Sequence, residues 1–397
     1  MKSKDYLKET LAHREPGRIV VDFGATPVTG IHVLAIERLR EHYGLERKPV
    51  KVIEPYQMLG EIDIDLMTLM GIDVIGIAPR NNMFGVPNEN YRSFQTFWGQ
   101  EVLMPAGLNT NIGSNGDLLV YPEGDMTVPP SGRMPKSGYF FDSIIRQHPF
   151  KEADLNVQDN LEEFSLYSDE DIAYWNNMKA GIEGTDKGVI LNPGGTAFGD
   201  IALVPGPFMK NPRGIRDIEE WYMSTLVRPD YIHAIFDKQS EIAVGNLATL
   251  KEIFGDSIDA IFLCGTDFGT QDSTFCSEET FSELYKPYYR KLNDWIHANT
   301  SWKTFKHSCG AVEPLMEQLI DAGFDIINPV QINAKGMDPE NLKIKYGDRL
   351  TFWGGGVNTQ KVLPFGNPEE TRRQVLEQCR ILGRSGGFVF NTVHNIQ

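Results

Sequence analysis

His307 and Cys309 flank one residue, Ser308, and are followed by Gly310, directly behind the short run Trp302–Phe305. In an extended segment, side chains two apart point to the same side, so this imidazole and thiol can grip one ion. Zinc accepts both ligand types in tetrahedral geometry, and a catalytic zinc site keeps one position open. His394 follows another apolar run, Phe388–Phe390, and offers a third ligand. Such a centre activates a thiol or hydroxyl leaving group, or a water. Taken alone, the H-x-C pair is met equally by a packed histidine and an inert buried cysteine. Cys264 is an alternative ligand that also reads as packing at a strand end, while Cys276 and Cys379 read as structural. Asp267 can accept from a ligand imidazole, or hold a fourth position until substrate arrives, and reads equally as a cap on the next turn. Gln271, Gln331, Asn358 and Gln360 supply amides for a substrate or an amide-rich cofactor rim. Gly310 and the run Gly354–Gly356 permit close backbone approach to a ligand, or simply tight loops.

These groups need strands that deliver them to one place. The apolar patterning predicts strands at 19–23, 73–77, 188–192, 258–263, 302–306, 325–328, 350–353 and 387–390. Helices are expected at 4–13, 29–43, 61–70, 217–227, 229–245, 247–254, 278–299, 312–321, 338–346 and 368–384. Strand–helix alternation implies a parallel sheet, and a count near eight favours a closed (β/α)8 barrel, a TIM barrel, over an open one. Functional groups then collect at the C-terminal strand ends. No glycine-rich dinucleotide loop stands at a strand–helix junction.

From about 80 to 160 the rhythm breaks into Gly, Pro, Asn and aromatic residues. Residues 118–121 and 138–142 are expected as strands of an antiparallel insertion, with a turn at Pro129–Gly132. The insertion reads as a wall near the barrel mouth or as a structural cap. Residues 194–211 read as a loop over the site. The chain stops at His394–Gln397, just past the last predicted strand, so a final barrel helix is expected beyond residue 397. By length the chain could hold two domains; the reading adopted is one barrel domain over 1–397, with an N-terminal extension and 80–160 as an insertion within it.

The formal net charge of −16 argues against nucleic acid and anionic membrane as partners. The four cysteines are too sparse for a disulfide framework or an iron–sulfur cluster. The stretch Met1-Lys2-Ser3-Lys4-Asp5 leads into a polar helix rather than an apolar signal core, and no run is long enough to span a bilayer. A cytoplasmic enzyme is expected, and a homodimer is compatible with the chain.

Six segments carry a family resemblance: Asp267-Phe268-Gly269-Thr270-Gln271, Pro287-Tyr288-Tyr289, His307-Ser308-Cys309-Gly310, Ile327-Asn328-Pro329-Val330-Gln331, Leu342–Asp348 and Gly354-Gly355-Gly356-Val357. On these the chain resembles the uroporphyrinogen decarboxylase superfamily, strongly over 255–397 and more loosely over 1–110. That superfamily includes zinc-dependent, corrinoid-linked methyltransferases. The resemblance implies a distorted (β/α)8 barrel. The region after Asp22-Phe23-Gly24 reads Ala25-Thr26-Pro27-Val28-Thr29-Gly30, without the arginine-rich motif of the porphyrinogen decarboxylases. The methyltransferase branch carries a histidine and cysteine spaced as His307 and Cys309 are, and a cysteine near the C-terminus. His394 stands in that last place here, and the decarboxylases also carry a histidine near it. The resemblance thus implies zinc on His307, Cys309 and His394. It also implies methyl transfer between a small donor, such as a methoxylated aromatic, and the cobalt of a corrinoid carried by a partner protein. A metal-free decarboxylase is the alternative. No D-x-H-x-x-G corrinoid signature occurs in the chain, so the cobalt is expected to arrive with the partner.

Overall fold

A computed structural model describes residues 1–397. Eight parallel strands form the central sheet: β1 Val20–Val21, β2 Val74–Ile77, β3 Gly188–Leu191, β4 Ala260–Cys264, β5 Lys303–His307, β6 Ile326–Asn328, β7 Thr351–Trp353 and β8 Phe388–Phe390. Their order is β1-β8-β7-β6-β5-β4-β3-β2, a distorted, nearly closed TIM-type barrel ringed by helices. The seam between β1 and β2 is held by one backbone bond, Asp73 N–H to the Val21 carbonyl at 2.8 Å. The Asp73 carboxylate returns the contact, taking the Val21 N–H at 3.0 Å, and is itself clamped by Arg18 at 2.5 Å. Gly76 makes the seam possible, because a Cβ there would stand 1.9 Å from the Ala25 carbonyl oxygen.

The strands are short apolar runs because most are buried on both faces, as parallel strands between two layers must be. Inside the barrel, Val20, Val74, Ile190, Phe262, Phe305, Ile326, Trp353 and Val389 pack together. The Phe305 ring meets Phe262 at 5.4 Å and Trp353 at 5.1 Å. A larger apolar layer lies between the strands and the surrounding helices.

Several predicted elements are corrected. The helix expected at 29–43 begins at Val33, since Ile31 and His32 bridge to Ile396 and Leu59 and the His32 ring caps Leu34 N–H at 3.2 Å. The helices expected at 229–245 and 247–254 are one, Pro229–Phe254. Gly245 does not break it; a Cβ there would lie 2.6 Å from Leu166, so glycine makes room for packing. Residues 278–299 form a helix interrupted by a π-turn at Phe281–Tyr285 just before Pro287, which cannot donate to the helical ladder. The helix Asp169–Ile182, capped reciprocally by Ser168 and Asp171, was not foreseen.

The appended strands begin well before residue 80, and their first sheet is mixed, because Val50–Glu54 runs parallel to Glu101–Met104. Val50–Glu54 and Leu59–Gly60 join Arg92–Gln95 and Glu101–Met104 in one four-stranded sheet. A second four-stranded sheet joins Thr110–Ile112, Leu118–Val120, Gly132–Met134 and Asp142–Ser143. The strand expected at 138–142 is thus reduced to its last residue. Residues 192–217 contain no helix or strand, as the expected loop requires. No helix is long and apolar enough to cross a membrane.

Candidate metal centre

The alternation of β5 turns Phe305 into the barrel and carries His307 to its mouth, while Lys306 faces the surrounding helices. His307 is the register partner of Asn328 on β6. Its Nδ1 lies 2.5 Å from the Asn328 Oδ1. The Asn328 amide is itself oriented, donating from Nδ2 to the Trp353 carbonyl at 2.7 Å. The imidazole must therefore carry its proton on Nδ1 and present a free lone pair on Nε2.

That lone pair faces the thiol. Cys309 Sγ is 3.5 Å from His307 Nε2. His394, delivered just after β8, sets its ring 5.5 Å from that of His307 and at 71° to it. One ligand atom from each of His307, Cys309 and His394 lies within 4.8 Å of the other two. Zinc–nitrogen and zinc–sulfur bonds of about 2.0–2.3 Å place tetrahedral ligands about 3.3–3.7 Å apart. The His307–Cys309 pair already has that separation, and His394 needs only a small approach. The donor set therefore fits a zinc-type ion with one position left open. His307 is buried, whereas Cys309 and His394 keep partial exposure through which a substrate can arrive.

Asp267 holds the cluster from the β4 side. Its Oδ1 accepts the Cys309 N–H at 2.7 Å and lies 3.6 Å from His307 Nε2. Gln331 accepts the Gly310 N–H at 2.6 Å. Gly310 has φ of +91°, and a Cβ there would be 2.2 Å from the carbonyl carbon of Gly269, so only glycine lets these two loops touch. Burial pushes the His307 pKa down, with Asp267 opposing. Burial, then the neighbouring His307, pushes His394 down to about 4. Both rings are neutral near pH 7, as ligands must be. Burial, and secondarily Asp267, pushes the Cys309 thiol well up, so a cation is what makes it a thiolate.

The remaining predicted residues fall in different places. Cys264 is not at the cluster: its sulfur packs against Tyr289 Oη at 2.9 Å and Thr266 Oγ1 at 3.1 Å, with Lys306 Nζ at 3.5 Å. Asn358 Oδ1 is occupied by the N–H groups of Gln360 and Lys361 at 2.9 and 3.0 Å, and so shapes its own loop. Gln271 and Gln360 meet through Asn333, whose Nδ2 donates to their oxygens at 3.2 and 2.7 Å, forming an exposed amide trio. Asn333 and the orienting role of Asn328 were missed by sequence reasoning. So was Lys306, whose buried ammonium ties the Thr266 carbonyl, at 2.5 Å, to that of His307. A separate cavity of about 260 Å³ lies in the antiparallel appendage, lined by Met58, Phe94, Phe97, Trp98, Met134 and Phe141 among others.

Residues 202–397 match the family described as "Uroporphyrinogen decarboxylase (URO-D)". No curated protein matches the chain. Among solved structures, a methyltransferase from Methanosarcina mazei aligns with a TM-score of 0.52, over 100% of this chain and 94% of that one, at 15% identity. At that identity the likeness bears on the fold alone.

Proposed function

We propose that this chain, with the URO-D fold and a His–Cys–His cluster at its barrel mouth, is a zinc-dependent methyltransferase acting between a small methyl donor and the cobalt of a partner-held corrinoid. One observation supports this most: a thiol and a lone-pair-bearing imidazole nitrogen 3.5 Å apart, with the imidazole locked in the metal-binding tautomer. His307, Cys309 and His394 would hold the ion. When bound, zinc supplies Lewis acidity to the heteroatom that loses or gains the methyl group.

The protein's own groups do the rest. Asn328 fixes the His307 ring, Asp267 fixes the Cys309 backbone, and Gln331 fixes the turn at Gly310. The loop 192–217 is tied to the segment after β4 by the Thr266 hydroxyl, which donates to the Phe198 carbonyl, and would from there help keep water from the reacting atoms. The exposed amide trio Gln271, Asn333 and Gln360 suits the amide-bearing rim of a corrinoid. Phe94, Phe97 and Trp98 line the separate appendage cavity and not the metal cluster, so the donor's character is left to the assay.

The test is methyl transfer to a reduced corrinoid protein across methoxyarenes, methanol, methylamines and thiols. Activity should vanish in chelator and return with zinc. The family match favours a second reading, metal-free decarboxylation of a carboxylated substrate. Carbon dioxide release undiminished by chelator would establish that one instead.

A further inference from the structure

Two buried donors without partners stand side by side on the helix Ile218–Val227: the indole N–H of Trp221 and the hydroxyl of Tyr222. This helix presses on the loop after β3, where a Cβ on Gly199 would lie 2.7 Å from Trp221 Nε1. The next residue, Asp200, uses one carboxylate oxygen to accept the Ala202 N–H at 3.0 Å. Its other oxygen, Oδ2, lies against the end of β4, 3.1 Å from where a Gly265 Cβ would be. The Thr266 hydroxyl ties the same stretch together by donating to the Phe198 carbonyl at 3.0 Å. The Tyr222 ring stacks on Phe275 at 5.2 Å and 22°, and the Phe275 N–H is held by the Phe268 carbonyl at 2.7 Å. Asp200, on the loop after β3, and Tyr222, stacked on the loop after β4 that also carries Asp267, thus lie at the C-terminal strand ends, the end of the barrel at which His307 and Cys309 stand.

Leaving a buried hydroxyl unbonded costs about 1–3 kcal/mol. Beside a ligand cluster that cost is explained when a bound molecule supplies the partner. Burial, and less so Asp267, pushes the Asp200 carboxyl up to about 6 against the Ala202 N–H and then Lys306, which suits a group that gives and regains a proton near neutral pH. Burial, then Asp267, Asp200 and Cys276, pushes Tyr222 up to about 12, so its hydroxyl stays a donor.

We infer that Asp200, assisted by the Tyr222 hydroxyl, delivers the proton required by the oxygen that leaves a methyl ether; this rests on the methyltransferase reading. The methyl carbon–oxygen bond breaks, and a carbon–cobalt bond forms from the electron pair of the reduced corrinoid, which is oxidised by two electrons. The oxygen keeps the bonding pair and takes the proton of the Asp200 carboxyl, which recovers one from water after the product leaves. Tyr222 donates a hydrogen bond to the same oxygen and is not consumed.

The test compares an ordinary methyl aryl ether with one whose phenol is acidified by a nitro group, using zinc-loaded enzyme and reduced corrinoid protein. Asp200→Asn should slow transfer from the ordinary ether by about 10²–10⁴-fold and from the nitro ether by less than about tenfold, with zinc content and melting temperature unchanged. Tyr222→Phe should shift the same ratio in the same direction by a smaller factor. Equal losses on both ethers, or no loss, overturn the proton-donor role while leaving the methyltransferase reading intact. Transfer only from methyl sulfonium donors, whose thioether leaves without a proton, also overturns it. Wild-type enzyme inert toward every methyl donor removes both.

Discussion

Replacing Asn328 with leucine removes a side chain of similar size that is 1% exposed and bonded at both ends. The His307 Nδ1–H loses its acceptor at 2.5 Å, and the Trp353 carbonyl loses its donor at 2.7 Å. Nothing then keeps the His307 proton on Nδ1 or the Nε2 lone pair toward Cys309. Losing an outer partner of a ligand imidazole weakens metal binding by about 10–100-fold, equivalent to about 1.4–2.8 kcal/mol. Folding should lose about 1–3 kcal/mol for the buried groups left unbonded. Asn328→Asp keeps the acceptor for His307 and loses only the donor to Trp353, so it should bind zinc more tightly than the leucine variant. The assay is zinc titration against a competing chelator, with urea unfolding and circular dichroism alongside. An Asn328→Leu protein that folds and binds zinc as tightly as wild type would refute the claim that this amide sets the imidazole.

Three further outcomes are expected. At pH 7–8 zinc binding should release one proton, from Cys309, because both histidine pKa values are depressed and the rings already neutral; log affinity then rises by about one per pH unit, and calorimetry in buffers of different ionisation heat counts the proton. Release of two or more protons at pH 7–8 would contradict the depression of both histidines. Gly310→Ala should cost about 1–3 kcal/mol and lower zinc affinity, since φ is +91° and the added Cβ would collide with Gly269; urea unfolding and chelator competition read both. Gln271→Ala with Gln360→Ala should raise KM for the corrinoid protein while leaving zinc content and melting temperature unchanged, as measured by steady-state kinetics and metal analysis.

Most barrel strands were legible because they are short apolar runs buried on both faces, and Gly188–Leu191 or Ala260–Cys264 needs no partner to be recognised. The His307–Cys309 pair was legible for a related reason: the period of an extended chain puts both side chains on one side. The nearness of His394 depends on β8 closing back toward β5 across the barrel mouth, which no local pattern encodes. The role of Asn328 needs the β5–β6 register, because only that sets it opposite His307. Val50–Glu54 escaped notice because its parallel partner, Glu101–Met104, lies some fifty residues on and supplies the reason for it to be a strand. The break expected between 245 and 247 is absent because the helix runs on to Phe254, with Gly245 making room for Leu166. Asp200 and Tyr222 belong to no motif; only folding brings a turn and a helix to the same side of the mouth.

The most direct measurement is metal content and sulfur coordination in the wild-type chain, His307→Ala and Cys309→Ala, each purified metal-free, resupplied with zinc and checked by circular dichroism. The wild type should take up one tightly held zinc with one sulfur among its nearest neighbours by X-ray absorption, and both folded variants should lose it. Zinc retained at full occupancy by either variant, or refused by the wild type, would contradict a centre built on His307, Cys309 and His394.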